Sequence, residues 1–230
     1  MTDIFEAAGQ ESPRGRAATR MRLVRASLPV FVEKGLDAAT IDDLVSAAGF
    51  TRGAFYSNFS SKEELFDALF ETVTDEVCAL VRDSVPQEPR GLSDQPSGLR
   101  ADQPMVDVFA AIRPFGRQWY LLYSEAVSHA LRSDSARERL AAQRGRLQAE
   151  IAHTLERGMA ATGDRPLIPL PSLAELVIGI YVDLMVREHL QGEDVTDIAP
   201  ELILGSLRAF VDGPGPCTRH AEGTAAPAGE

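Results

Sequence analysis

An all-α fold in two helical parts is predicted by three observations. Between Thr40 and Lys62 the sequence reads as short helices joined by a glycine turn. From Met105 to Gly213 it reads as one helix after another, separated by proline- and glycine-containing connections. Charge divides the chain as well. Pro13 to Lys62 holds eight basic and four acidic residues, whereas the remainder holds fifteen basic and thirty acidic ones, within a formal net charge of −11. A basic head on an acidic body suits a protein that meets a polyanion with one face only; a solvated basic helix face is the rival reading.

The chain has 230 residues, enough for one or two domains and a sizeable core, and its 44% hydrophobic and 25% charged content is ordinary for a soluble globular protein. No basic region followed by an apolar run opens it, and no apolar stretch is long enough to span a bilayer. No signal peptide and no membrane partner are therefore expected. Cys78 and Cys217 lie far apart and form no disulfide framework, which fits a reduced cytoplasm and inert thiols.

Residues 1–12 are expected to form a mobile tail. Arg14 and Arg16 follow, placed to reach phosphate or an adjacent minor groove as basic arms do, unless they are simply part of a disordered end. A first helix is predicted from about Ala17 to Glu33, with Leu23, Ala26, Leu28, Val30, Phe31 and Val32 apolar, Pro29 bending it and Gly35 ending it. Thr40 caps a second helix with Asp42 and Asp43 in its first turn, where the helix dipole favours negative charge. Ile41, Leu44, Val45 and Ala48 share one face, and Gly49 stops the helix in a left-handed conformation. Thr51 caps a third helix running to Asn58. Phe55 and Phe59 are four apart on its buried face, which leaves Arg52, Tyr56 and Ser57 nearer the open side. Ser60 or Ser61 caps a long helix reaching about Asp83, and Glu64 lies three residues after Ser61 as in a capping box.

A short helix, a glycine turn and a second helix with a basic N-terminus is the helix-turn-helix pattern, whose second helix lies in the major groove of DNA. An ordinary pair of packed helices is the bland alternative. Gly53 and Ala54 suit close backbone approach to a duplex, and Tyr56, Asn58 and Lys62 are donors of the kind that hold phosphate oxygens.

Residues 84–104 carry loop chemistry, rich in Pro, Gly, Ser, Asp and Gln. Helices are then expected over Val106–Ile112, after Pro114 to about Leu131, and over Ser135–Ala160. The stretch ATGDRPLIPLP connects to an apolar helix capped by Ser172 and reaching Leu190, and a last helix spans Ile198–Val211. Residues 213–230 are expected to be a disordered tail. The last two helices are too apolar to cover one side only. Leu173, Leu176, Val177, Ile180, Tyr181, Leu184 and Met185, with small Ala174 and Gly179, and then Leu202, Ile203, Leu207 and Phe210, point to a two-fold dimer through helices 172–190 and 198–211, joined as a four-helix bundle. A fully buried helix in a monomer is the rival.

Thr40-Ile41-Asp42-Asp43-Leu44, Ala47-Ala48-Gly49, Thr51-Arg52-Gly53-Ala54-Phe55-Tyr56, Asn58-Phe59 and Ser61-Lys62-Glu63-Glu64-Leu65 closely resemble the TetR family of bacterial transcriptional regulators, from about Arg20 to Leu65. The resemblance implies a DNA-binding domain over 13–62 and a helical regulatory and dimerisation domain over 63–212. It implies a palindromic double-stranded operator, a small-molecule effector and, in most members, repression. At matching positions it implies Arg52 on a base, best satisfied by guanine O6 and N7, with Thr51 on a base or phosphate and Gly53 and Ala54 at close approach. Thr40, Tyr56, Asn58 and Lys62 are then on phosphates. Many relatives carry an aromatic or basic residue in place of Ser57 and a histidine in place of Asn58, so sequence preference does not carry over.

For an effector, Phe115, Trp119, Leu122 and Tyr123, with Tyr181, are candidates to line a cavity between helices, and Arg117, Glu125 and His129 to supply polarity; plain core is the alternative for each. Glu150 and His153 form a lone ExxH pair, whereas di-iron helical sites use two such pairs and further glutamates. There is no HExxH, paired CxxC, P-loop or nucleophile-elbow motif. No cofactor, no metal and no enzyme are expected. Two alternatives stay open: a ligand-independent activator or nucleoid organiser of the same fold and, more distantly, a helical metalloprotein.

Overall fold

The computed structural model describes residues 4–6, 15–83 and 103–212. Their architecture is all-α: α1 (Arg16–Ala38), α2 (Ile41–Ala48), α3 (Arg52–Tyr56) and α4 (Lys62–Asp83) precede α5 (Gln103–Ile112), α6 (Gly116–Ala130), α7 (Asp134–Thr162), α8 (Leu170–Val186) and α9 (Ile198–Ala209). The expected loop 84–104 lies outside the described residues as far as 102, and Gln103 and Pro104 already belong to α5. The expected tail 213–230 lies outside them as well.

In the head, α1 buries Leu23, Val24, Leu28 and Phe31, and Phe31 meets Phe66 of α4 edge-on with ring centroids 5.3 Å apart. Gly35 interrupts α1 at φ 75°, ψ 171°, a conformation open essentially to glycine alone, so the turn of helix beyond it changes direction. Phe55 and Phe59 are buried together beneath α3, as their spacing predicts. Within the expected N-terminal tail, Ile4–Glu6 instead form a 3-10 turn, and Ile4 and Phe5 are buried in the core. The apolar pair outweighs the polar residues around it.

α4 runs from the head into the body. It packs on α1 and, further along, on α7. The body is built from α5 to α9. A 3-10 turn at Arg113–Phe115, set by Pro114, separates α5 from α6. At Gly116 a Cβ would fall 2.2 Å from Met185 Sδ, so α6 enters close against α8.

Two boundaries differ from the sequence reading. α8 begins at Leu170, not after Ser172, because Pro171 suits a first helical turn, where its missing N–H costs nothing. The helix then continues through a π turn, Arg187–Gln191, to Gly192. α9 stops at Ala209, because Val211–Asp212 pair antiparallel with Arg165–Pro166 as a two-residue ladder. No described helix is long and apolar enough to cross a membrane.

Candidate nucleic-acid interface

Short-range polar bonds fix α2 and α3. The Thr40 hydroxyl accepts from the Asp43 amide at 3.2 Å, while the Asp43 carboxylate accepts from the Thr40 amide at 3.0 Å and from its hydroxyl at 2.7 Å, a reciprocal capping box. Lys34 adds a 2.7 Å bond to the same carboxylate. The Lys34 ammonium first, then the Thr40 donors, lower the Asp43 pKa to about 2. Gly49 ends α2 at φ 68°. Thr51 caps α3 through a 3.2 Å bond from the Ala54 amide.

The result is a short helix with one face sealed by Phe55 and the other open. Arg52, Gly53 and Tyr56 are exposed there, Tyr56 at 56% despite its size. Arg52 donates to both carboxylate oxygens of Asp42, at 2.5 and 2.8 Å, across the turn between the two helices. This pairing raises the arginine's pKa and lowers that of Asp42. Ser57 donates to the Ala54 carbonyl at 2.9 Å, and the Asn58 amide donates to the same carbonyl at 2.8 Å, while Asn58 Oδ1 is buried without a partner. Lys62 donates to the carbonyls of Asp37 at 2.7 Å and Ala39 at 3.0 Å, tying the start of α4 to the end of α1. Thr40, Thr51, Arg52, Gly53, Ala54, Tyr56 and Ser57 therefore share the outer side of the two short helices. Asn58 and Lys62 are built into its frame.

Two α1 residues hold this frame: Arg16, for which the sequence reading expected a phosphate or minor-groove contact, and Arg20, which it missed. Arg16 donates to the Ser57 carbonyl. Arg20 donates to the Asn58 carbonyl at 2.7 Å and lies over the Phe59 ring, 4.0 Å from its centroid. Arginine at the carbonyl end of a helix is favourable by hydrogen bonding and by the helix dipole. Arg14, paired with Arg16 in the sequence reading, lies outside the described residues.

Of the residues expected to line an effector cavity, Trp119 and Tyr181 come together and the others do not join them. Trp119 and Tyr181 line a small apolar cavity of about 30 Å³ with Val77, Val81, Phe109 and Met185. Tyr181 donates its hydroxyl to the Met105 carbonyl, and burial raises its pKa. Phe115 and Leu122 are buried in the surrounding core. Tyr123 stacks on Trp119 at 5.0 Å and meets Arg144. His129 lines a different cleft. The ExxH pair also separates: Arg82 holds Glu150 at 2.8 Å, and His153 turns towards Glu156 at 3.7 Å. Among the described residues no three His, Cys, Asp or Glu side chains gather as metal ligands.

Comparison with known proteins agrees with this geometry. A family profile described as "Bacterial regulatory proteins, tetR family" matches residues 23–69. The transcriptional repressor KstR2 of Mycobacterium tuberculosis is 37% identical over 78 residues, 34% of this chain and 36% of its own. The transcriptional activator FasR of Mycolicibacterium smegmatis is 31% identical over 134 residues, 54% of this chain and 58% of its own. The matches to the first curated relatives span 31, 24 and 38% of those proteins' lengths. The fold of Salmonella enterica GusR superposes with a TM-score of 0.66 at 19% identity, covering 86% of this chain and all of that one. That likeness extends the shared fold through the body.

Proposed function

Because the chain belongs to the TetR family of bacterial helix-turn-helix transcriptional regulators, we propose that it is a homodimeric, ligand-responsive repressor acting on a palindromic operator. The observation that carries this reading is the exposed face of α3, capped, rigidly backed and presenting Arg52 and Tyr56 beside open glycine and alanine backbone. Each subunit lays α3 in the major groove. Arg52 exchanges Asp42 for guanine O6 and N7. Thr40, Thr51, Tyr56 and Ser57 meet the backbone, and Asn58 and Lys62 hold the frame, with Lys62 near phosphate.

The dimer forms through α8 and α9. Leu176 is 43% exposed there, and Cβ atoms at Gly179 and Gly205 would meet nothing within 4 Å, so both helices offer small residues to a partner. The effector enters between α4, α5, α6, α7 and α8, where Trp119 and Tyr181 already line an apolar space that must widen to admit it. α4 links the two events. Its far end supplies Val77 and Val81 to that space, and its first residue, Lys62, is bonded to the end of α1. By linkage, operator weakens effector binding by the factor that effector weakens operator binding.

Similarity to the activator FasR favours one second reading, activation by the same head; the position of the operator relative to the promoter separates the two. Selection of bound duplexes from a random pool at two salt concentrations tests the proposal. An enriched palindrome bound more weakly at high salt is expected. Salt-sensitive binding without enrichment would replace it with a nucleoid-organising role.

A further inference from the structure

We propose that the apolar space in the body opens at the seam between α5 and α8, and that two polar pins, Tyr181 to Met105 and Arg113 to Glu188, hold that seam shut. The proposal rests on reading this space as the effector site. At about 30 Å³ the space has room for little more than water, so a wall must part before anything larger enters. Phe109 and Ile112 of α5 line it opposite Ile178, Tyr181 and Met185 of α8, and the Phe109 and Tyr181 rings meet edge-on with centroids 5.5 Å apart.

The walls are not held alike. α7 packs along both α4 and α8 and against α6, and α6 enters so close to α8 that Gly116 leaves no room for a Cβ beside Met185. α5 is a ten-residue helix that leans chiefly on α9 and α4, and the 3-10 turn at Pro114 separates it from α6. Its polar ties to α8 lie at its two ends. At the first, the Tyr181 hydroxyl donates to the Met105 carbonyl. Just past the second, Arg113 reaches the π turn that follows α8, and its Nε and Nη2 converge on one oxygen of Glu188, Oε1, at 2.8 and 2.6 Å. This second pin is poised to let go. Glu188 Oε2 is left buried without a partner, a desolvation cost that the closed state carries. Parting the seam returns that oxygen to water. Arg113 keeps other acceptors in the exchange, Thr196 at 2.8 Å and Asp194 at 3.3 Å. Glu188 also rides on Arg187–Gln191, a π winding of the kind that recurs at functional sites in helices, and Met185, three residues before Glu188, lines the space.

Acrylamide quenching of Trp119, the single tryptophan and part of the lining, tests the assignment without any effector. Wild type, Arg113→Met, Tyr181→Phe and Arg82→Met are compared as full chains, with circular dichroism as the check on folding. The first two variants each remove one pin, and the third cuts the Arg82–Glu150 pair between α4 and α7. Severalfold stronger quenching in both pin variants is expected, with Arg82→Met at the wild-type value. Unchanged quenching in either pin variant, or an equal rise in Arg82→Met, would overturn the proposal. N-phenyl-1-naphthylamine, a neutral apolar dye, then separates the seam from the reading it rests on. A shut seam lowers apparent affinity in proportion to the open fraction, so the pin variants are expected to bind the dye severalfold more tightly than wild type, read by energy transfer from Trp119. Equal affinity in all four proteins would overturn the seam. Dye that never reaches Trp119 where acrylamide quenching has risen would support the seam and refute the effector reading of the space.

Discussion

Arg52 spends the free state on Asp42, with both side chains more than 60% exposed. In the proposed complex a base contact trades one bidentate acceptor for another, and on that proposal the carboxylate restrains the arginine against indiscriminate phosphate binding. Asp42→Asn is predicted to raise affinity for non-operator duplex severalfold at low salt and to narrow the specific-to-non-specific ratio, read by anisotropy. The capping box makes a second prediction. Thr40→Ala should destabilise the head by about 0.5–2 kcal/mol in chemical denaturation. The Asp43 carboxyl is held at about 2, below its ordinary 3.8. Its contribution is therefore complete above pH 3.8 and disappears as pH falls towards 2. The stability gap between wild type and Asp43→Asn should close across that window, and a gap unchanged at pH 2 would show that the box is not held by charge. These caps were legible in sequence because each spans three residues. The bonds from Arg16 and Arg20 to α3 were not, because they join carbonyls 41 and 38 residues away.

At the scale of elements, helices and their stops were read well where a local signal existed. Gly49 and Gly35 both break helices as expected, and Phe55 and Phe59 seal one face. Errors fell where tertiary context competes with local preference. Ile4 and Phe5 leave the tail for the core, α8 starts ahead of its expected serine cap, and the end of α9 is cut short by a strand ladder. Of the candidate effector residues Trp119 and Tyr181 share a cavity and the others do not join them, because helical spacing gives a face and not what that face meets. Gly35 supplies a test of the joint between head and body. Its left-handed φ strains any side chain, and a Cβ there would come within 2.9 Å of Glu125 Oε1, the end of a side chain that must swing aside. Gly35→Ala is predicted to cost about 1–3 kcal/mol, measured by urea denaturation. Restoration by adding Glu125→Ala would assign the loss to the clash rather than to backbone strain.

For the whole molecule, the charge division read from sequence matches the division of labour proposed for head and body. The dimer is the least local of the claims. Gly179→Arg places a long cation on an open helix face, so the subunit should keep its helical content while sedimentation shows the dimer dissociating at least tenfold more readily. Operator affinity should fall with it, because two half-sites are read together. The central claim, that α3 reads bases through Arg52, is tested most directly by one titration. Wild type and Arg52→Ala are each bound to the selected operator and to the same duplex with one guanine pair per half-site exchanged. Wild type is predicted to lose about 1–3 kcal/mol on the exchange, and Arg52→Ala to bind both duplexes alike. Equal binding of both duplexes by wild type, or discrimination retained without Arg52, would contradict the account.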